Sequence, residues 1–130
     1  MKTRNPRKAR KRTKTARNAV LKRMVSAHLS ESLRKKFSTR SLGVKVGDSV
    51  KILRGKFKNE RGKVEAINYT AQKLFIEGIE TQKADGTKAK VGVHSSNVLL
   101  TDVDTSDKWR KKIIERKGGK TASETKEAKK

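Results

Sequence analysis

Between residues 49 and 101, apolar side chains fall at every second position in five short runs separated by Gly-, Asn- and Asp-containing turns. That alternation is the period of a half-buried strand. The runs are 49–53, 63–68, 73–77, 88–93 and 98–101. Their inward faces read as Val50 and Ile52, Val64 and Ala66, Leu74 and Ile76, Val91 and Val93, and Val98 and Leu100. Residues 68–72 make one hairpin loop and residues 84–87 another, the second with the Asp85-Gly86 pair that primed turns favour. Five short strands in so few residues predict a small β-barrel, with a small core and modest stability away from a partner.

The period changes on either side. Ala19, Val20, Leu21, Met24 and Val25 form a short apolar patch fit for a turn or two of helix. Ser30 is placed to cap a second helix, on which Leu33 and Phe37 share a face four residues apart and Leu29 can staple onto Leu33. After the strands, Thr105 or Ser106 can cap a helix carrying Trp109 and Ile113 on one face, and Trp109 is expected to cover the barrel. Residues 2–17 show no apolar period and are expected to be disordered alone in water, and the tail from Gly118 to be flexible. The chain thus divides into a basic extension with a short helix (1–46), a barrel (47–101), and a helix with its tail (102–130). The fold class is mainly β.

Charge adds the partner. The chain carries 36 Lys and Arg against 13 Asp and Glu, a net +23 on 130 residues. So large an excess opposes compaction by self-repulsion. It favours a polyanion, because neutralised phosphates release counterions. Residues 1–46 hold 16 basic and 1 acidic side chain, whereas 47–100 and 101–130 each hold 10 and 6. An anionic membrane would also attract such charge, yet there is no apolar run near 18 residues, no signal-peptide pattern and no lipidation signal. No membrane partner is expected. Without Cys there is neither a disulfide nor a thiolate metal site, which suits the cytosol.

The chemistry concentrates in residues 48–65, DSVKILRGKFKNERGKVE. Gly55 and Gly62 bracket a tight turn, with Lys56, Lys58, Arg61 and Lys63 around it. Four cations there repel one another unless a polyanion lies opposite. The turn is not a nucleotide-binding P-loop, since six residues separate the glycines and Val64 stands where a magnesium-binding hydroxyl is required. Asp102, Asp104 and Asp107 lack the glycine and final glutamate of a calcium loop, and serve better as caps near a helix start. His94 beside Ser95 and Ser96 has no suitably spaced carboxylate, so the run reads as a polar rim loop with Asn97. No enzyme activity, cofactor or metal is expected. Phe57 is placed either to stack on an unpaired base or to pack against the N-terminal helix.

The expected RNA contacts are Arg7, Lys8, Arg10, Lys11, Arg12, Lys14 and Arg17 in the arm, and Lys22, Arg23, Arg34, Lys35 and Arg40 in the helical segments. Arg54, Lys56, Phe57, Lys58, Arg61 and Lys63 add the loop; His94, Ser96 and Asn97 add the rim; Arg110 and Lys111 add the C-terminal helix. A DNA-packaging basic barrel fits the same charge but would bind long duplexes without site preference.

The 48–65 stretch resembles the KOW motif of nucleic-acid-binding barrels, carried by Gly47, Asp48, Val50, Gly55, Lys56, Lys58, Gly62, Lys63 and Val64. Glu60 departs from it by placing an acid in the basic loop. Together with SLRKKFSTRSLGVKVGDS, the run KADGTKAKVGVHSSNVLLT and DKWRKKIIERK, residues 18–117 look like the KOW-domain family of the large ribosomal subunit, archaeal and eukaryotic type. The resemblance implies an SH3-like barrel of about five strands that binds large-subunit ribosomal RNA early in assembly, near the polypeptide exit. It also implies neighbouring ribosomal proteins as partners, a cytoplasmic location in ribosomes, and no obligate homo-oligomer. A KOW-bearing transcription factor would need a further domain to grip polymerase, for which no sequence is left here.

Overall fold

A computed structural model describes residues 4–117. Its strands are β1 (Ser26–Leu29), β2 (Ser41–Gly43), β3 (Ser49–Ile52), β4 (Arg61–Asn68), β5 (Lys73–Gln82), β6 (Lys88–His94) and β7 (Val98–Asp102). The helices are α1 (Pro6–Lys14), α2 (Asn18–Met24), α3 (Glu31–Phe37) and α4 (Lys108–Arg116). The five alternating runs are β3 to β7, so the protein is mainly β as expected. The strands pair in one seven-stranded mixed sheet, in the order β2-β1-β7-β3-β4-β5-β6.

The ladder does not close into a five-stranded barrel. β7 pairs antiparallel with β3 on one edge and parallel with β1 on the other, which leaves it no edge for β6. β1 and β2 were not anticipated. β1 pairs locally with β2, Ala27 opposite Leu42, and on its other edge with the distant β7, His28 opposite Leu99 and Leu29 opposite Leu100.

Two register shifts redirect side chains that simple alternation assigns otherwise. The first lies in β4 between Val64 and Ala66. A one-residue bulge reverses every later side chain, so Ala66 faces solvent and Ile67, opposite Leu74, packs against the core. The second lies in β5 between Phe75 and Glu80 and brings Ile79 into the core. β4 also joins the two halves of the sheet, pairing with β3 through residues 61–63 and with β5 through 64–68.

The core runs well outside residues 47–101. Val25, Ala27, Leu29, Leu33 and Phe37 are buried with Val50, Ile52, Val64, Leu74 and Leu100, and Ile114 joins from α4. α3 contributes Leu33 and Phe37, the pair its spacing predicts. Ser30 occupies its N-cap, though the hydroxyl bonds that of Ser32 at 3.1 Å instead of a backbone N–H.

α4 is rotated from its expected setting. Trp109 is 71% exposed, and the buried face carries Arg110 and Ile114. The cap is Asp107, whose Oδ1 accepts from the Trp109 N–H at 2.9 Å, rather than Thr105 or Ser106. Asp104 in turn accepts from the Ser106 N–H and hydroxyl. Asp102 accepts from the Val103 N–H at 2.9 Å, so all three aspartates act as local acceptors.

α1 is helical where disorder was expected. Asn5 Oδ1 accepts from the N–H of Arg7 and Lys8, and Pro6 suits the first helical position. No residue of α1 is buried. Cations at i and i+4, such as Arg7 with Lys11 and Lys8 with Arg12, oppose the helix in water. The flexible tail expected beyond Gly118 lies outside the described residues.

Candidate nucleic-acid interface

The loop between β3 and β4 is locked at its base. The Ile52 N–H donates to the Glu60 carbonyl at 2.9 Å and the Asn59 N–H to the Ile52 carbonyl at 2.8 Å. Gly55 lies at φ +97°. A left-handed backbone of this kind favours glycine. Phe57 is half-buried and packs on the core, which pins the loop from beneath. Arg54, Lys56 and Lys58 project from the exposed rim. Among the described residues, no ion pair engages Arg54, Lys56, Lys58, Glu60, Arg61 or Lys63.

The basic surface continues onto the strands. Lys51 lies directly opposite Arg61 in the β3–β4 ladder, with Lys63 opposite Ser49 on the same outward face. Like charges directly opposed weaken a strand pair unless an anion bridges them. Lys51 lies outside the cationic turn, and only its place between the inward Val50 and Ile52 marks it as outward in the sequence.

Gly62 lets β4 pass close against β5 here. A Cβ on it would lie 2.5 Å from the Glu77 carbonyl oxygen and 2.8 Å from Ile76 Cγ2. One of these contacts is backbone, which cannot swing aside. Gly62→Ala is expected to cost about 1–3 kcal/mol, as overpacking does. Urea denaturation checks it, and a midpoint equal to that of the unaltered chain would show that β5 yields freely.

The second candidate run meets this loop. The Leu53 N–H donates to the Asn97 carbonyl at 2.8 Å, placing the 3-10 turn Ser95–Asn97 against the start of the loop. His94 caps that turn: its Nδ1 accepts from the Ser96 N–H at 3.3 Å and lies 2.8 Å from Ser96 Oγ. Accepting at Nδ1 makes Nε2 the donor, and it faces Gln72 Oε1 at 3.2 Å. Gln72, like Lys51, is absent from the residues expected from sequence. It orients His94 from the β4–β5 turn, and only the fold brings the two together. His94 and Ser96 thus spend much of their hydrogen-bonding capacity on each other, while both remain exposed.

The other expected contacts are dispersed. Arg7, Lys8, Arg10, Lys11, Arg12 and Lys14 lie on α1, Arg17 at the N-cap of α2, and Lys22 and Arg23 in its last turn. Arg34 Nε donates to the Leu29 carbonyl at 2.8 Å, and Lys35 pairs with Glu31 at 3.1 Å. Arg40 and Lys111 are exposed. Arg110 has to be removed from the set. Only 2% of it is exposed, and its Nη1 and Nη2 each lie 2.6 Å from a carboxylate oxygen of Asp48. Nothing in the 108–117 run distinguishes it from the exposed cations beside it.

Around that pair, the Asp48 carboxylate also accepts from the N–H of Lys45 and Asp104, and Arg110 donates to the carbonyls of Gly43 and Asp104. Hydrogen bonds from Ser106, backbone first and then hydroxyl, hold the Asp104 carboxyl below its ordinary range, with Arg110 and Lys45 assisting. Lys90 is shifted upward by its hydrogen bond and ion pair with Glu65. Among the described residues, no group of three or more His, Cys, Asp or Glu is placed to hold a metal ion, and no helix is long and apolar enough to cross a membrane.

A family model described as ribosomal proteins L26 of eukaryotes and L24 of archaea matches residues 3–117. The chain belongs to that family. It is a ribosomal protein of the large-subunit type, a component of the translation apparatus. The match starts within the basic arm, so residues 3–17 share the family pattern, although the resemblance read from sequence began only at residue 18.

Proposed function

We propose that this chain is a structural, non-enzymatic component that binds large-subunit ribosomal RNA early in assembly and lies near the polypeptide exit. The observation that carries the reading is the set of exposed cations on a loop whose backbone is already fixed. Lys56, Lys58, Arg61 and Lys63 make no ion pair among the described residues, and Lys51 extends the set. Pre-organised charge of this kind suits a phosphate backbone, which positions a protein without reading sequence.

In this reading residues 47–101 act as a KOW unit, curved by its bulges toward an SH3-like barrel. Residues 1–46 supply the arm and its helices, and 102–130 supply α4 and the tail. The contacts are those expected from sequence without Arg110. Partners are ribosomal RNA and neighbouring ribosomal proteins in the cytoplasm, with no obligate self-association.

Filter binding of the full chain to deproteinised large-subunit RNA tests this, with duplex DNA as competitor. About eight neutralised phosphates give a slope of log affinity against log salt near −6 to −7. Binding is expected to survive excess duplex DNA. Equal competition by DNA would instead favour a packaging protein.

A further inference from the structure

A second aromatic and basic feature lies away from the loop. An open groove of about 940 Å³ runs between α4, α2 and β2, with Trp109 and Ile113 on one wall and Tyr69, Lys22 and Arg23 among its other lining residues. Trp109 is the only Trp in the chain and is 71% exposed; Ile113, one turn on, is 39% exposed. Burial of Arg110 and Ile114 fixes the rotation of α4 and so holds the indole at the groove.

Both aromatic rings lie under cations. Lys112 Nζ sits 5.3 Å from the Trp109 ring centroid and Lys22 Nζ 5.8 Å from that of Tyr69. The only acid among the lining residues, Asp107, is taken up by Lys45 and by the Trp109 N–H. The groove therefore offers flat apolar faces within a positive rim. An apolar peptide would satisfy the faces but leave the rim without counter-charge. An unpaired nucleotide satisfies both, since every base has a π-face and every linkage a phosphate.

We propose that this groove is a single-stranded RNA subsite, with a base stacked on Trp109 and the adjoining phosphates held by Lys22, Arg23 and Arg116. The proposal rests on the RNA-binding reading above, but on a surface separate from the β3–β4 loop.

The single Trp makes the subsite observable in the full chain. An eight-nucleotide oligoadenylate is expected to quench Trp109 fluorescence saturably, and an abasic ribose-phosphate oligomer of equal length is not. By anisotropy of labelled oligoadenylate, Trp109→Ala is expected to weaken binding about tenfold with the salt slope unchanged, because stacking neutralises no phosphate. Trp109→Phe should recover most of the loss. The exposure of the ring means neither variant threatens the fold. Tight binding of oligoadenylate without quenching, and unaltered by Trp109→Ala, would overturn the subsite and leave the RNA reading standing. An indole that responds only to a neighbouring protein in assembled subunits would overturn it too. Failure of the chain to bind ribosomal RNA at all would remove both readings.

Discussion

Asp48→Ala is expected to lower the stability of the folded chain by about 3–5 kcal/mol, the cost of stranding one partner of a buried ion pair. Asp48 and Arg110 have side-chain exposures of 0% and 2%. The carboxylate is also the acceptor for the N–H groups of Lys45 and Asp104, so its loss leaves further polar groups unmet in the interior. A domain of this size has only about 5–15 kcal/mol to lose. A chain at +23 folds against its own repulsion as well.

Thermal unfolding should show the midpoint falling by about 10–20 °C, and urea titration should show the same loss at an unchanged slope. Replacing both partners, Asp48→Leu with Arg110→Met, should be milder than either single change, because no charge is then left buried. A single Asp48→Ala variant within about 1 kcal/mol of the parent, which is the range of exposed pairs, would show that the pair is solvated in solution.

Removing residues 1–17 is expected to reduce affinity for large-subunit RNA on the order of 10³-fold at physiological salt. That segment carries nine Lys and Arg and no acid. If it supplies five or six of about eight phosphate contacts, the salt slope flattens by about 4–5. Replacing Lys56, Lys58, Arg61 and Lys63 by Ala should flatten it by about 2–3, since a fixed loop reaches fewer phosphates than an arm can. Filter binding across a salt series measures both, and equal slopes for the two variants would sink the idea that the arm dominates. The helix of α1 bears on the same result. Its like-charged i and i+4 pairs disfavour the helix in water, so circular dichroism should show helicity rising as RNA is added.

Much of this architecture could be read from local pattern. Strands β3 to β7 announced themselves by alternation, and α3 by the spacing of Leu33 and Phe37. The larger failures share a cause, which is dependence on a partner distant in the chain. β1 is a four-residue strand set between β2 and β7, and its pairing with β7 has no local signal. Ala66 was placed inside because a bulge carries no strong local signal, and it is the opposing β5 register that reveals one. Arg110 and Trp109 are adjacent, and sequence alone favoured the indole for burial. Asp48, 62 residues earlier, reverses the order by binding the guanidinium. The loop cations were legible because their chemistry is local, whereas Gln72 behind His94 and the groove at Trp109 were not.

The parallel pairing of β1 with β7 also governs how the molecule comes together. His28 meets Leu99, which closes a loop of about 70 residues. Closing it carries an entropic cost that no local contact repays in advance. Pairings of such range slow folding toward the millisecond-to-second regime typical of β-rich domains. During synthesis β1 can pair with β2 once residues 41–43 have emerged, but its other edge waits for residues 98–102. The basic arm therefore leads only into this local hairpin, not into the rest of the sheet, for most of the time the chain is being made. Whatever polyanion it meets in that interval, it meets before the sheet is complete.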